Sequence, residues 1–383
     1  MKTKKLYETD GMLFAFRAKI LDKKQTEKGY EIILDQTAFF PEGGGQTADT
    51  GYIGEARVLD VQIRDGEIVH FADRFPGKDE VECRLDADER FRKLQNHLGE
   101  HLLCGAIHQL YGYENVGFHL GSDYMTFDIS GPMTAEQIRA AEILANRAVA
   151  QNAPVRCYYP ENVSALDYRA KSEKLEDVAD IRLVEVEGFD RCACCAPHLD
   201  EAGKVGLIKI VDAMKYKGGM RFWALCGFDA LADYDHRLTE IRKVSSLLSA
   251  KPTEIAEAVK SKLDEISELK KTVGALKREL NALKLASLGQ TDQNICIFDD
   301  SMDGNTMREF ATGGMKKTSA VFAVFSGSDE TGYQFVIGSE SIKLKAKIPE
   351  FKTALGGKCG GSDKMLFGHA DRSRNEIEAF FAD

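Results

Sequence analysis

The 383-residue chain is too long for one ordinary hydrophobic core, so two or three domains are expected. It is 43% hydrophobic and 29% charged, as soluble globular proteins are, and its formal net charge of −10 argues against coating nucleic acid by bulk electrostatics while leaving room for a local RNA-binding patch. The opening "MKTKKLYETDGML" has lysines but no apolar run behind them, and no stretch approaches roughly eighteen uninterrupted apolar residues, so neither a signal peptide nor a membrane span is readable. Nine cysteines at irregular spacings, three of them in "RCACC", suit reduced thiols and metal chemistry in a cytoplasm better than a disulfide framework.

Residues 1 to about 90 read as short β segments. "KGYEIILDQTAFF" and "ARVLDVQIRDGEIVHF" alternate apolar and polar residues, with Gly and Asp at the breaks. Between them, "PEGGGQTADTGYIG" is too glycine-rich for a strand interior and predicts a loop that needs positive φ or close backbone approach. Over 88–111 the period turns helical, with Phe91, Leu94, Leu98, Leu102 and Ile107 as an apolar stripe. Strand-like "VGFHLGSDYMTFDIS" follows, then a helix over "TAEQIRAAEILANRAVAQN" and mixed short elements to about 230. Further on, Ile266, Leu269, Val273, Leu276, Leu280 and Leu283 keep a 3-4-3-4-3 spacing with Lys and Glu between them. That is a heptad seam, opened near Pro252 and closed by "SLGQTDQ"; an antiparallel helical hairpin within one chain and an intermolecular coiled coil both satisfy it. The last ninety or so residues read as a small α/β domain. Its strands fall at "NICIFDD", "SAVFAVFSG" and "QFVIGS", its helices at "DGNTMREFAT" and "RNEIEAFFAD", with the glycine-rich "LGGKCGGSDKMLFG" before the last helix.

The chemistry concentrates in "LQNHLGEHLLCGAIHQL". His97 and His101 lie four apart on one helical face and can offer two nitrogens to one ion. Alone, such a pair is as well explained by hydrogen-bonded core histidines. "GFDRCACCAPHL" adds a second pair of the same spacing, Cys194 and His198, completing a Cys/His set of the type zinc favours. Cys192 and Cys195 read as supporting thiols or buried structure. Three readings of the site compete. His97-x-x-Glu100-His101 matches an inverted zinc-peptidase motif with Glu100 as base, but such sites complete the metal with a carboxylate. Four Cys/His ligands usually mean a closed structural zinc, yet these come from a helix and a loop about a hundred residues apart. A catalytic zinc is the third.

These residues resemble a known family. H-x-x-x-H followed later by C-x-x-x-H is similar to the editing domain of alanyl-tRNA synthetases and the free-standing AlaX-like editing proteins. "LDQTAFFPEGGGQTADTGYIG" looks like the family's glycine-rich segment. "QNHLGEHLL", "VGFHLGSDYMTFDIS", "EAGKVGLIKI" and "KYKGGMRFWALCG" fall in the family's order, and the C-terminal ninety residues resemble the DHH-associated domain. The resemblance covers essentially the whole chain. It implies an α+β multidomain protein with a small β-barrel-like domain over 1–90, a metal-dependent editing domain over 91–235, a helical coiled-coil linker over 236–289 and a small α/β domain over 290–383. Where the family often carries Gly-Gly-Thr-His, this chain has "CAPH", which removes a hydroxyl and puts rate and amino-acid preference in question. No aminoacylation domain has room before residue 90 and no DHH motif is present, so editing in trans is the expectation.

The implied reaction is zinc-dependent hydrolysis of serine or glycine from mischarged alanine tRNA. Packing discriminates such small differences by only about 10–200-fold, so a second, hydrolytic site is needed. The resemblance implies Zn²⁺ on His97, His101, Cys194 and His198, with Glu100 a candidate proton carrier. Thr37 matches the family position that reads the serine hydroxyl, with a strand-closing threonine as the plainer alternative. Gln46 either bonds substrate or caps the glycine-rich loop, and His119 lies in a pocket-lining segment. Lys217, Arg221, Lys358 and Lys364 are candidate tRNA contacts, the last two beside the "GGKCGGSDK" loop, whose backbone N–H groups can face a phosphate. That loop is not a phosphate loop of the nucleotide-hydrolysing type, so ATP is not expected to take part. Residues 290–383 hold 11 lysines and arginines against 14 acidic residues, so RNA contact there must be local. Self-association through the linker or the C-terminal domain remains open.

Overall fold

The computed structural model describes residues 2–163, 166–170 and 181–382, which form two compact units, Met1–Lys243 and Val244–Asp383. Among the described residues no helix is long and apolar enough to cross a membrane.

The first unit begins with β1 (Lys4–Lys5), β2 (Ala15–Thr26), β3 (Gly29–Leu34) and β4 (Gln36–Thr37). After the glycine-rich segment come β5 (Gly51–Ile53), β6 (Ala56–Arg64), β7 (Glu67–Ala72) and β8 (Glu80–Leu85). Six of these strands close into a barrel in the order β2-β3-β7-β6-β5-β8, and β1 pairs with β4 outside it. Alternation drives the closure. In β8, "EVECRL", Val81, Cys83 and Leu85 are buried while the charged residues between them face water. Ile32, Leu34, Ile53, Val58 and Val61 fill the same core.

The long helix α1 (Ala87–Tyr111) follows at once and ends at Gly112, whose φ of 67° is the left-handed conformation of a helix cap. Residues 93–107 of α1 are buried on every side, so each polar residue there needs a partner. Next come β9 (Asn115–Leu120), β10 (Met125–Ile129), α2 (Ala135–Gln151), β11 (Val155–Tyr158), β12 (Leu183–Val186), β13 (Asp190–Ala193), β14 (Ile208–Tyr216), β15 (Gly219–Cys226) and α3 (Gly227–Leu248). A four-stranded antiparallel sheet, β14-β15-β10-β9, and α2 pack on the apolar side of α1 through Leu94, Leu98, Leu102, Phe127, Ala145 and Phe222. Thr134 starts α2 with a capping box shared with Gln137. The three-stranded sheet β11-β12-β13 ends where the second ligand pair begins.

The second unit holds α4 (Ile255–Ser287), β16 (Ile295–Phe298), α5 (Gly304–Gly314), β17 (Phe322–Ser328), β18 (Gly332–Gly338), α6 (Ile348–Leu355), β19 (Lys358–Gly361), β20 (Met365–Ala370) and α7 (Arg374–Ala382). Its sheet runs β16-β17-β18-β20-β19. Met307 and Phe310 of α5 cover one face with Phe322, Val324 and Val336; Phe351 and Phe381 cover the other with Phe325, Phe335 and Leu366. One expectation is corrected here. "GGKCGGSDK" is not an open loop facing a phosphate: Lys358–Gly361 is an edge strand paired with β20, Gly360 opposite Phe367, so part of its backbone is already engaged in the ladder. Glycine content signals backbone freedom, not the absence of a strand.

Candidate metal centre

His97 and His101 project from α1, each about 1% exposed, and meet Cys194 and His198 from the loop after β13. The three imidazole rings sit 4.6–5.4 Å apart between centroids. Cys194 Sγ lies 3.5 Å from His97 Nε2 and 3.3 Å from His198 Nε2, and one ligand atom from each of the four residues falls within 4.8 Å of the others. Tetrahedral zinc with Zn–N near 2.0–2.1 Å and Zn–S near 2.3 Å separates its donors by roughly 3.3–3.6 Å. Both Cys194–histidine separations fall in that range and the set as a whole lies within 4.8 Å, so three imidazoles and a thiol form a donor set whose chemistry suits zinc.

Several groups hold the two ligand pairs in register. Arg182 donates from Nη1 to the carbonyls of Cys194 (2.9 Å) and Ala196 (2.8 Å), pinning the loop between the ligands. Arg169, doubly bonded to Asp190 at 2.7 Å, donates to the carbonyl of His101 at 3.4 Å. On the barrel side, Gln46 Oε1 accepts from Nδ1–H of His97 at 2.8 Å, which leaves the Nε2 lone pair turned to the cluster. Gln46 arrives there because Gly45 has a φ of 84° and lies so close to β9 that a Cβ would stand 2.3 Å from the Phe118 carbonyl. Gln46 is 1% exposed, and its Nε2 has no hydrogen-bond partner among the described residues.

The other anticipated residues divide. Glu100 turns along α1: it accepts from Asn115 Nδ2 and, at 3.1 Å, from the Cys104 thiol, and it is outside the cluster of four. Thr37 is fully buried, its hydroxyl donating to His70 Nε2 at 2.8 Å and accepting from the Phe39 amide at 3.1 Å. His70 in turn donates from Nδ1 to the Ile32 carbonyl at 3.1 Å, and burial lowers its pKa to about 4, so the imidazole is neutral. His119 is exposed, because the pleat of β9 points it away from its neighbour Phe118, whose ring meets that of His97 at 4.9 Å. Phe118, not His119, is the residue of this strand that the structure brings to the ligands. Lys217 is exposed at the β14–β15 turn, while Arg221 is held by Asp128 at 2.7 and 2.8 Å and lies over the Tyr216 ring. Lys358 and Lys364 are exposed in the second unit.

Sequence reasoning missed His70 and a buried ionic cluster. Arg90 and Lys93 of α1 converge on Asp49: Arg90 pairs with it directly and donates to the carbonyls of Gly11 and Ala38, and Lys93 donates to that of Ala48 at 2.7 Å. Asp49 also accepts from the Phe40 amide at 2.7 Å. The cluster fastens the glycine-rich segment to α1 and so brings Gln46 to His97. A signal existed: Arg90, Lys93, His97 and His101 recur at helical spacing on one face, an unusual polar stripe for a helix otherwise rich in leucine.

Residues 4–89 match the family model for tRNA synthetases class II (A), and residues 181–222, which include Cys194 and His198, match that for the threonyl and alanyl tRNA synthetase second additional domain. Alanyl-tRNA editing protein AlaX-L of Pyrococcus horikoshii is 26% identical over 97% of this chain and 96% of its own length. Alanyl-tRNA editing protein Aarsd1-B of Xenopus laevis is 28% identical over 88% of this chain and 85% of its own. The chain belongs to the AlaX-like alanyl-tRNA editing proteins. An alanine–tRNA ligase of Ignicoccus hospitalis is 32% identical over 73% of this chain, which spans only 32% of that larger protein. In this chain the segment between β4 and β5 supplies Gln46, α1 supplies two histidines of the cluster, and the stretch matched by the second-additional-domain model supplies Cys194 and His198.

Proposed function

We propose that this AlaX-like chain is an aminoacyl-tRNA deacylase of the cytoplasm. It hydrolyses, in trans, the ester joining serine or glycine to alanine tRNA at a zinc ion held by His97, His101, Cys194 and His198. The convergence of those four ligands, with Gln46 on His97, carries the reading. Zinc bound there would supply the positive charge that polarises an ester carbonyl or acidifies a water.

The chain's own residues would do the rest. Gln46 fixes the tautomer of His97 through Oε1 and has Nε2 available to donate to the acyl carbonyl or to the attacking water. An aminoacyl ester is labile, so positioning suffices and no covalent nucleophile is required. Glu100 is left out of the proton chemistry, because its carboxylate accepts from Asn115 and Cys104 and ties α1 to β9. Thr37 would read serine in one polarity only. Its proton is directed at His70 and one lone pair takes the Phe39 amide, so its remaining lone pair accepts from a serine hydroxyl and offers alanine nothing. This role requires the acyl pocket to open onto an oxygen that is enclosed here. Lys217, Lys358 and Lys364 would contact the tRNA backbone, and Arg221 would do so only in exchange for Asp128. Self-association through the linker helix or the second unit belongs to the same reading.

The test is deacylation of alanine tRNA charged with serine, glycine or alanine, by the wild type and by His101→Ala, with zinc measured on both. Loss of serine or glycine but not alanine, abolished together with the metal in the variant, is the expected result. A wild type that holds zinc and spares all three esters would leave a structural zinc in a binding module.

A further inference from the structure

Phe118 stands at the metal centre with no role in the reaction described so far. Its ring lies 4.9 Å from the His97 imidazole between centroids, at an interplanar angle of 41°, and is half-buried, so part of it stays accessible. The ring has little freedom to move. β9 is fixed on β10 with Phe118 opposite Phe127, and the Leu120 amide donates to the Gly45 carbonyl at 2.7 Å. Gly45 lies against the ring itself, because a Cβ there would stand 2.9 Å from Phe118 Cδ1. From Phe118 the glycine turn runs towards the ligand loop. A Cβ on the exposed Gly44 would meet, among the described residues, only Cys195 Sγ at 3.9 Å. One boundary beside the donors is therefore a fixed aromatic ring, and the turn that joins it to the ligand loop carries no side chain at two successive positions.

We infer that Phe118 sets the upper size limit of the acyl group, as a fixed wall with which side chains larger than that of serine collide. The inference rests on the deacylase reading and adds a specificity that reading lacks. The side chain of an aminoacyl ester branches from the carbon next to the reacting carbonyl. It must therefore be housed directly beside the metal donors, which is where Phe118 stands. Hydrolysis assisted by a metal is indifferent to which amino acid forms the ester, so a deacylase acting in trans must spare the larger esters. A hydroxyl acceptor such as Thr37 cannot do this alone, because threonine carries the hydroxyl of serine and one methyl more. A steric boundary separates those two. A rigid wall suits the task, since close-packed surroundings that cannot relax penalise an added methyl group. Apolar sites discriminate a single methylene on the order of 10–200-fold.

The experiment measures kcat/KM on alanine tRNA charged with glycine, serine or threonine, for the full-length wild type, Phe118→Leu and Phe118→Ala. Zinc content and circular dichroism are recorded on each. The wild type should prefer serine to threonine by at least about tenfold. Shortening the side chain should raise threonine hydrolysis, so that the serine-to-threonine ratio falls by about tenfold in Phe118→Ala, with Phe118→Leu between. A gain on the larger ester is not what misplacing His97 produces, since that lowers all three rates together with zinc. Phe118→Leu keeps an apolar side chain between Gly45 and His97 and carries the test if Phe118→Ala loses its metal. An unchanged ratio in a zinc-loaded variant overturns the inference. So does a uniform rise in KM for all three esters, which would assign the ring to the nucleoside end that they share. A wild type that spares serine and glycine removes the deacylase reading and the wall with it. One that hydrolyses serine, and threonine equally fast, leaves that reading intact and overturns only the wall.

Discussion

Replacing Gln46 by leucine keeps the buried volume and the backbone path but removes both polar ends of the side chain. Nδ1–H of His97 then loses its acceptor in a site that is 1% exposed. Either that donor stays unsatisfied or the imidazole takes the other tautomer, which places a proton on the nitrogen that faces the cluster. Loss of such an outer partner typically costs 10–100-fold in metal affinity, about 1.4–2.8 kcal/mol. The assay is zinc competition against a chromophoric chelator, run beside deacylation at saturating zinc. Gln46→Glu separates the two ends: its carboxylate still accepts from His97, so zinc affinity should stay near wild type, but the donor is gone. If Nε2 serves substrate, Gln46→Glu loses deacylation with its zinc intact, whereas Gln46→Leu loses both. Wild-type zinc affinity in Gln46→Leu would refute the reasoning, because His97 would then not depend on Gln46 for its orientation.

Two further outcomes follow from groups buried in the first unit. Arg90→Ala removes the direct partner of Asp49, only 2% exposed, and leaves it Lys93 at 4.0 Å and the Phe40 amide, so chemical denaturation should show a loss of about 3 kcal/mol; a loss under about 1 kcal/mol would mean the cluster does not fasten the glycine-rich segment. His70 has a folded pKa of about 4, below its ordinary 6.5, because burial penalises the imidazolium. Its contribution is therefore intact above pH 6.5 and declines as the unfolded chain takes up the proton first, by about 3 kcal/mol once the pH reaches 4. Urea midpoints between pH 7.5 and 4.5 should fall less steeply in His70→Gln than in the wild type, and parallel slopes would deny His70 this role.

What could be read from the sequence was local, and what could not depended on phase or on contact across the chain. The helix carrying His97 and His101 is legible because its period is written in consecutive residues, and Gly44 and Gly45 do take the positive φ that their segment suggests. "GGKCGGSDK" is also rich in glycine, yet its Lys358–Gly361 forms an edge strand, since glycine permits a turn without requiring one. His119 shows the cost of an unknown phase: a strand has two faces, and a shift of one residue exchanges His119 for Phe118 at the ligands. The contacts of Gln46 and Asp49 with α1 were beyond local reading for a different reason. Their partners lie 51 and 41 residues away on α1, and no spacing rule joins a loop to a helix across that distance. Yet these long-range polar contacts share one helical face with the metal ligands. A buried helix can carry such a stripe only if each charge meets a partner, so the residues that position the site and the residues that attach the barrel to α1 form one continuous constraint.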